Sequence, residues 1–312
     1  MRKVYGANVL VKTTGLTEQE WLGYRRLGIG GSDVAGVMGL SQYATPFSVW
    51  MDKVEGIVRP AGRAAHRGKM CEDWIAQEAA VRNGWGIKRI NAMLQHPQHP
   101  WMTANIDRMI VKPELAIHEI KMINSPGRSR KVIDSGILVE HELQCRWYQA
   151  VLNIDKTWIS YDLPDAEPVD FLVERDLEME RHLITVCGAF WKLVEDKTPP
   201  AMDGSDAADD YLKERFAAKL GTVEMPQEAG LWITQYESAG QTIKEAENMK
   251  AQARQRLCEM LDGTQSGRFE DRTVNWKPYS SDRIDTAALK KGDPAVAAKY
   301  IKPSESLRFT IQ

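Results

Sequence analysis

The residues best suited to chemistry are Asp107 and, further along in an apolar run, the triplet Glu119-Ile120-Lys121. In a β-strand, residues two apart point to the same side of the sheet, so Glu119 and Lys121 share one face. If the chain around Asp107 forms the preceding antiparallel strand, Asp107 lies beside Glu119. Two adjacent carboxylates repel unless a cation lies between them, and oxygen-rich sites suit Mg²⁺. The spacing indicates a metal site, although the same residues also occur on ordinary solvated strand edges.

Two further polar side chains stand on predicted apolar helix faces. Glu72 shares its face with apolar residues at spacings of three, four and seven, and Gln144 shares a face with aromatic residues. A buried amide must be hydrogen-bonded, so Gln144 needs partners in the interior. Glu72 also needs a partner. Pairing with a nearby basic residue, Arg67 or Lys69, is as well supported as a place in the metal site.

A glycine-rich turn lies upstream of these residues. The capping-box sequence Thr17-Glu-Gln-Glu20 predicts a helix that reaches Arg25. In the turn over residues 28–33, Ser32 or Asp33 can cap a second helix and leave backbone N–H groups facing an anion. The turn is neither a dinucleotide fingerprint nor a Walker loop. A plain helix start is the simpler interpretation, but the preceding arginine makes a phosphate site worth testing.

Composition places the chain among ordinary globular proteins. Its 312 residues carry a net charge of -2, which disfavours a passive DNA-coating role but not an enzyme with a basic channel. Its four cysteines are scattered without a Cys-x-x-Cys pair, so we expect reduced thiols and no zinc site. The N-terminus lacks the apolar core of a signal peptide, and no apolar run reaches membrane-spanning length. We therefore expect a cytoplasmic protein with no membrane partner.

The elements that must position the polar residues alternate between helical and strand patterns. A basic stretch over residues 125–131 follows the Glu-x-Lys strand and is predicted as a loop at the mouth of the site. Hydrophobic periodicity predicts helices at 17–26, 46–55, 70–82, 141–151 and 177–196, and strands at 86–94, 101–107, 115–123, 157–163 and 169–175.

The last third of the chain has a different character. A Pro- and Gly-containing stretch ends the first region, so the predicted domains are 1–203 and 204–312. Apolar residues recur every three or four positions between Tyr236 and Met260, a seam typical of an antiparallel helical hairpin or a short coiled coil. We expect this seam to dock on a neighbouring subunit or partner. The remaining predictions are a helix at 207–220 and a small β unit from 267–277 and 307–311.

Taken together, these motifs resemble the YqaJ-type viral recombinase family, the phage alkaline exonucleases related to lambda exonuclease, within the PD-(D/E)xK nuclease superfamily. The resemblance spans about residues 21–196. Asn105-Ile106 precede the aspartate where the superfamily pattern expects proline, a position that only shapes the turn. The matching motifs are Trp21-x-x-x-Arg25 followed by Gly-Ile-Gly-Gly-Ser32-Asp33, Gly68-x-x-x-Glu72, Asp107, Glu119-x-Lys121 and Gln144.

The resemblance implies a fold and an activity. The fold is α/β, with a central mixed sheet flanked by helices in a restriction-endonuclease-like core, followed by the C-terminal helical hairpin and small β appendage. The activity is Mg²⁺-dependent degradation of one strand of duplex DNA from 5′ to 3′, using one or two ions, with Mn²⁺ able to substitute. The resulting 3′ overhang passes to a single-strand annealing protein for recombination. Family members such as lambda exonuclease form a trimeric ring, which implies a homo-oligomer here.

The resemblance also assigns roles at the metal site. Asp107, Glu119 and the backbone carbonyl of Ile120 would hold Mg²⁺, and Glu72 would be a metal-site or water-positioning carboxylate. Two metal ions can stabilise both the attacking and the leaving oxygen. Lys121 would orient or help deprotonate the attacking water, its pKa lowered by nearby metal charge.

Three further residues take roles by resemblance. Gln144 would hydrogen-bond in the metal site and orient the catalytic lysine or the scissile phosphate. Arg25 and Ser32 match positions that bind the terminal 5′-phosphate of the DNA, which would select the end of the duplex.

Two alternatives remain open at this point. The core residues alone do not separate an exonuclease from an endonuclease or repair nuclease of the same superfamily. A non-catalytic DNA-binding or assembly factor, working through its helical C-terminal part, is disfavoured because a binding module has no use for Asp107, Glu119 and Lys121 together.

Overall fold

Residues 3–57, 62–215, 221–300 and 309–311 are described by the computed structural model. They contain the strands β1 (Lys3–Val4), β2 (Ala7–Lys12), β3 (Gly86–Lys88), β4 (Ala92–Gln95), β5 (Thr103–Ala104), β6 (Arg108–Lys112), β7 (Ala116–Met122), β8 (Lys156–Asp162), β9 (Val169–Glu174), β10 (Ser266–Phe269) and β11 (Arg272–Asn275). The helices are α1 (Glu18–Arg25), α2 (Gly31–Val37), α3 (Pro46–Glu55), α4 (Arg63–Asn83), α5 (Pro126–Ser135), α6 (Val139–Leu152), α7 (Leu177–Glu195), α8 (Asp206–Arg215), α9 (Ala229–Met260), α10 (Thr286–Gly292) and α11 (Pro294–Tyr300).

A five-stranded mixed sheet forms the centre of the first part of the chain, with the strand order β3-β6-β7-β8-β9. Strands β7 and β8 run parallel, and the other neighbours are antiparallel. A parallel pair needs a crossover connection, and α5 with α6 supplies it. Helices α4 and α6 both contact β7. The predicted α/β fold, a mixed sheet flanked by helices, is confirmed.

A second sheet, with the strand order β1-β2-β4-β5, was not predicted. The single strand expected over 86–94 is divided between the two sheets, because β3 pairs with β6 whereas β4 pairs with β2 and β5. Arg89, between β3 and β4, reaches Asp73 of α4 at 3.2 Å, where the chain passes from one sheet to the other.

The helix α6 crosses the interior of this part of the chain. Trp147 is fully buried, and its indole N–H donates to the carbonyl of Thr103 at 2.9 Å. This bond ties α6 to the chain just before Asp107. A buried indole with its N–H satisfied contributes both apolar area and a fixed orientation.

The chain divides into two compact units, and the division falls after residue 216. The predicted boundary after residue 203 lies one helix earlier. Helix α8 belongs to the first unit because Tyr211 packs edge-on against Phe47 and Trp50 of α3, with ring centroids 5.3 and 5.9 Å apart. Residues 216–220, the end of the predicted helix 207–220, lie outside the described residues.

The basic stretch over 125–131 is helical, so the predicted loop is wrong. Pro126 occupies the first helical position of α5, where its missing N–H costs nothing and its fixed φ suits a helix. The fully buried Ser129 donates to Asp165 at 2.5 Å, and Val132 is also fully buried. Because the stretch contains many basic residues, its sequence pattern indicated a solvated loop and did not reveal the buried side of a helix.

The second unit is built on α9, a single unbroken helix of 32 residues, so the hairpin predicted within this segment is wrong, whereas the alternative of a short coiled coil stays a prediction. The seam residues Tyr236, Ile243, Leu257 and Met260 are exposed. Strands β10 and β11 form an antiparallel hairpin within the first part of the predicted β unit. Residues 307 and 308 of the second part lie outside the described residues. No helix of the described residues is long and apolar enough to span a membrane.

Candidate active site

The antiparallel pairing of β6 with β7 brings Asp107 beside Glu119. Arg108 lies opposite His118 in this pair, and Asp107 immediately precedes β6. Its Oδ2 atom accepts a hydrogen bond of 2.9 Å from the backbone N–H of Ile120. The carboxylate of Asp107 is therefore fixed against the backbone between Glu119 and Lys121, as the strand pattern predicted.

Glu119 is almost fully buried, with 1% of its surface exposed. Its Oε1 atom lies 2.6 Å from Nζ of Lys121 and accepts a hydrogen bond of 2.7 Å from Nε2 of Gln144. The other oxygen, Oε2, is buried and has no hydrogen-bond partner among the residues that the structure describes. An unpaired buried carboxylate oxygen is costly, so Oε2 is an atom prepared for a ligand.

Gln144 connects the two functional groups of β7. Its Oε1 atom accepts from Nζ of Lys121 at 3.0 Å, while its Nε2 donates to Glu119 and to the hydroxyl of Tyr148. The Tyr148 hydroxyl donates in turn to the carbonyl of Asn105 at 3.0 Å. The buried amide therefore has the partners that its predicted inward position required.

The two carboxyl groups disturb each other's protonation. Burial, Glu119 and Glu72 raise the pKa of Asp107 well above its usual range, and burial also raises the pKa of Glu119. Burial alone would lower the pKa of Lys121, but Glu119 and Asp107 outweigh it and raise that pKa. The lowering predicted for Lys121 depends on the charge of a bound metal and stays a prediction. A cluster of this kind gains from additional positive charge between its carboxylates.

The donor set fits a hard divalent cation with a partial shell of water. Among the described residues, no group of three or more His, Cys, Asp or Glu side chains could hold a metal. The side-chain ligands available here are Asp107 and the free Oε2 of Glu119, and Ile120 lines the same cavity. Magnesium is commonly bound through one or two carboxylates while it keeps several waters. These residues fit Mg²⁺ and do not form a zinc site.

Glu72 lies at the edge of this cluster and is paired with a residue that the sequence did not single out. Arg108, only 2% exposed, reaches Oε1 of Glu72 at 2.7 Å, Asp73 at 2.6 Å and the backbone carbonyl of Asp107 at 2.6 Å. The partners considered for Glu72, Arg67 and Lys69, are not the ones that it takes. Arg108 follows Asp107 directly and points to the opposite face of the sheet, towards α4. The alternating direction of neighbouring side chains along the strand was the sequence signal that could have placed Arg108 near α4.

These groups line a cavity of about 590 Å³. Its wall has three cationic side chains, Lys69, Lys121 and Arg128, together with Glu72, Asp107, Glu119 and Gln144. Cations grouped around buried carboxylates suit a phosphodiester that approaches a metal ion.

The glycine-rich turn packs directly behind Gln144. The N-cap of α2 is Gly30, and the predicted caps Ser32 and Asp33 lie within the helix. The side chain of Asp33 accepts from the N–H of Gly30 at 3.0 Å. A Cβ atom on Gly31 would lie 2.5 Å from the ring of Tyr148, so only glycine allows this approach of α2 to α6.

Arg25 and Ser32 lie together in a neighbouring cavity of about 520 Å³. Arg25 donates to Oγ of Ser32 at 3.1 Å and pairs with Asp33 at 2.5 Å. Asp33 is shared with Lys53, whose fully buried ammonium lies 2.6 Å from its other oxygen. Tyr43 lines both cavities. The structure thus places Arg25 and Ser32 next to the main cavity and apart from Asp107, Glu119, Lys121 and Gln144, which it brings together.

A chain of hydrogen bonds secures the far side of β7. The buried His118 lies 2.9 Å from the hydroxyl of Ser160 on β8, and Ser160 donates to Asp170 on β9 at 2.5 Å. Asp170 also pairs with Arg82 of α4 at 2.8 Å. This network joins three strands to one helix and so fixes the strand that carries Glu119 and Lys121.

Comparisons with known proteins identify one protein family and one shared fold. Residues 20–155 match the model of the YqaJ-like viral recombinase domain. The chain is 32% identical to the uncharacterized protein YqaJ of Bacillus subtilis strain 168, over 98% of both sequences. Crystal structures of the alkaline exonuclease LHK-Exo from Laribacter hongkongensis, one of them in complex with dAMP, cover 64% of this chain and 98% of their own at 19% identity, with TM-scores of 0.49 and 0.50. The likeness at a TM-score of 0.50 shows a shared fold.

Proposed function

Because this chain belongs to the YqaJ-like viral recombinase family, we propose that it is a phage-type, Mg²⁺-dependent exonuclease that degrades one strand of linear duplex DNA from 5′ to 3′. The product would be a 3′ overhang for annealing-type recombination. The observation that carries the proposal is the unpaired buried Oε2 of Glu119, beside Asp107 and within reach of Lys121 and Gln144. Family and fold together indicate a nuclease, a hydrolase that acts on DNA.

The metal would be held by Asp107 and Glu119, with the backbone carbonyl of Ile120 as a further ligand. When bound, Mg²⁺ supplies Lewis-acid stabilisation of phosphoryl oxygens, and Mn²⁺ is expected to substitute for it. Glu72 would stand at the edge of the site and position water. Arg108 holds Glu72 there through its contact of 2.7 Å.

The catalytic groups of the chain itself would act around the attacking water. Lys121 would orient that water or help to deprotonate it, and would stabilise the charge that builds up on the phosphate. Gln144 fixes the ammonium of Lys121 through the contact of 3.0 Å and holds Glu119 at the same time. Tyr148 keeps the amide of Gln144 in this orientation.

Arg25 and Ser32 would select the DNA end by binding its terminal 5′-phosphate. In support of this role, Arg25 uses one nitrogen for both Ser32 and Asp33. Its remaining N–H groups, which have no hydrogen-bond partner among the described residues, could form a fork with a phosphate. Two further cations, Arg26 and Lys53, pair with Asp52 and Asp33 beside it, and the carboxylates of Asp210 and Glu214 also line this cavity.

The same family membership is our reason to expect larger assemblies. We expect a homo-oligomer, a trimeric ring by resemblance, that encloses the duplex and so stays on its substrate although the net charge is only -2. We also expect a single-strand annealing protein as partner and action on DNA in the cytoplasm. The exposed seam of α9 is the surface that we expect to dock on a neighbouring subunit or partner.

Digestion of linear and closed-circular duplex by the purified chain with Mg²⁺ tests the activity. An end-dependent exonuclease consumes the linear DNA and spares the circle. Cleavage of both would identify an endonuclease or repair nuclease of the same superfamily. Replacing Mg²⁺ with Ca²⁺ should preserve DNA binding and stop cleavage. Binding without cleavage under both metals would instead favour a non-catalytic DNA-binding factor.

A further inference from the structure

His141 lines the catalytic cavity but has no part in the mechanism above. It lies on α6, one turn before Gln144, so the two side chains share one face of the helix. Its Nδ1 atom lies 2.9 Å from the hydroxyl of Tyr161, a fully buried residue of β8. The opposite edge of the imidazole, with Nε2, is the edge left for the cavity.

The contact with Tyr161 determines which nitrogen of His141 carries the proton. The Tyr161 oxygen accepts from the backbone N–H of Leu138 at 3.3 Å, so its own proton needs a separate acceptor. Within the described parts of the chain, Nδ1 of His141 is the acceptor recorded for that proton. If Nδ1 carried a proton instead, the buried hydroxyl would have nothing to donate to, which is costly. The neutral ring therefore presents Nε2–H to the cavity.

The groups that surround His141 favour an anion at that N–H. Lys121 of β7 and Arg128 of α5 line the same cavity, and Arg128 is held by Glu140 at 2.7 Å. Burial, Lys121 and Arg128 lower the pKa of His141 to about 2, so the ring stays neutral under all ordinary conditions. Lys121, Arg128 and His141 are thus donors in the wall of one cavity that also holds the carboxylates of Asp107 and Glu119, and His141 contributes an uncharged N–H whose tautomer is fixed by Tyr161.

We propose that His141 and Arg128 form a phosphate subsite beside Lys121, in which the Nε2–H of His141 donates to a non-bridging oxygen of the DNA strand being cut. This inference rests on the proposed nuclease function. His141 is a binding residue in this account and transfers no proton, because its ring is neutral and its second nitrogen is occupied by Tyr161. Its contribution should be independent of pH wherever the enzyme is folded.

Matched variants separate the cavity-facing nitrogen from the rest of the ring. The amide nitrogen of glutamine can stand near the position of Nε2, so His141→Gln should stay within a few-fold of wild type. His141→Phe keeps the ring shape but removes the donor, and should weaken binding of a linear duplex in Ca²⁺ by about 10- to 100-fold. It should reduce kcat/KM in Mg²⁺ by a similar factor at every pH tested. Equal binding and rates for wild type and His141→Phe would overturn the proposal.

A spectroscopic measurement on the full-length wild-type protein keeps the test independent of folding and of activity. Long-range ¹H–¹⁵N correlation spectra distinguish the two neutral tautomers, and the missing signal in His141→Gln assigns the resonance. We expect the Nε2–H form in wild type, a mixture in Tyr161→Phe, and a shift of the Nε2–H signal when a short 5′-phosphorylated duplex is added with Ca²⁺. An Nδ1–H tautomer, or no shift on DNA binding, would refute the subsite. Failure of the wild type to digest DNA with Mg²⁺, while these signals behave as expected, would instead refute the nuclease function.

Discussion

Gln144 and Glu119 are joined by a hydrogen bond of 2.7 Å from Nε2 of the amide to Oε1 of the carboxylate. The amide oxygen of Gln144 accepts from Lys121 at 3.0 Å, so one side chain sets the positions of both the acid and the ammonium. Because Oε1 of Glu119 is used in these contacts, Oε2 is the atom left for a metal. The arrangement makes Gln144 the organiser of the site, a role distinct from that of the reacting groups.

Replacing Gln144 by leucine should therefore reduce kcat by about 10- to 100-fold, the effect typical of losing a residue that orients metal-site groups. Duplex binding in Ca²⁺ should change little, because the basic wall of the cavity remains. Steady-state digestion of a linear duplex measures the change. Gln77→Leu, on the exposed face of α4, is the control. An unchanged kcat for Gln144→Leu would remove the organising role.

Replacing Lys121 by alanine should leave DNA binding nearly intact and reduce cleavage by about 10²- to 10⁴-fold. The loss would fall on kcat because Lys121 acts mainly in the transition state. Single-turnover digestion and binding in Ca²⁺ separate the two effects. Lys88→Ala removes an exposed ammonium from β3 and should behave as wild type. Near-normal turnover of Lys121→Ala would contradict the assignment.

Replacing Arg25 by alanine should abolish the preference for 5′-phosphorylated ends, since it removes the guanidinium that would form a fork with the phosphate. The measured quantity is the ratio of digestion rates for phosphorylated and hydroxyl ends, which cancels any general loss of stability. Arg130→Ala, which removes an exposed ion pair with Asp134 on α5, should keep the wild-type ratio. If the ratio is the same in wild type and Arg25→Ala, end recognition lies elsewhere.

Acid should destabilise the protein through His118. Burial lowers the pKa of His118 to about 4, below the value of about 6.5 expected in the unfolded chain. Between these values the unfolded chain binds a proton that the folded chain does not, so stability falls as pH drops through this window, by at most about 3 kcal/mol. Urea unfolding at pH 7.5 and pH 5 measures the change. His118→Gln can still donate to Ser160 but cannot titrate, so its loss over the same interval should be smaller. An equal loss in both proteins would contradict this account.

The centre of the site could be predicted from the sequence because its spacing follows strand and helix geometry. Alternation along β7 placed Glu119 and Lys121 on one face, and helical spacing turned Gln144 inward. The structure bears out this geometry, while the chemical roles of the residues stay predictions. The resemblance of scattered motifs to one family was confirmed by the match over residues 20–155 and by the relative at 32% identity.

The remaining features depend on contacts between residues distant in sequence. Strand alternation turns Arg108 away from Asp107, but its pairing with Glu72, like the pairing of Lys53 with Asp33, follows from packing between distant elements. The second sheet arises because β2, near the N-terminus, pairs with β4 across about eighty residues of chain. The seam of α9 carries an apolar repeat that fits either a hairpin or one long helix, and local pattern cannot choose between them.

The central claim is that the cluster of Asp107, Glu119 and Lys121 hydrolyses DNA from a 5′ end. The most direct measurement is digestion of a 5′-phosphorylated linear duplex with Mg²⁺, with a separate end-label on each strand. We expect mononucleotides to be released first from the 5′ label, a 3′ overhang to survive, and both to be lost in Asp107→Asn. Release from the 3′ label first, internal cuts, or full activity of Asp107→Asn would contradict it.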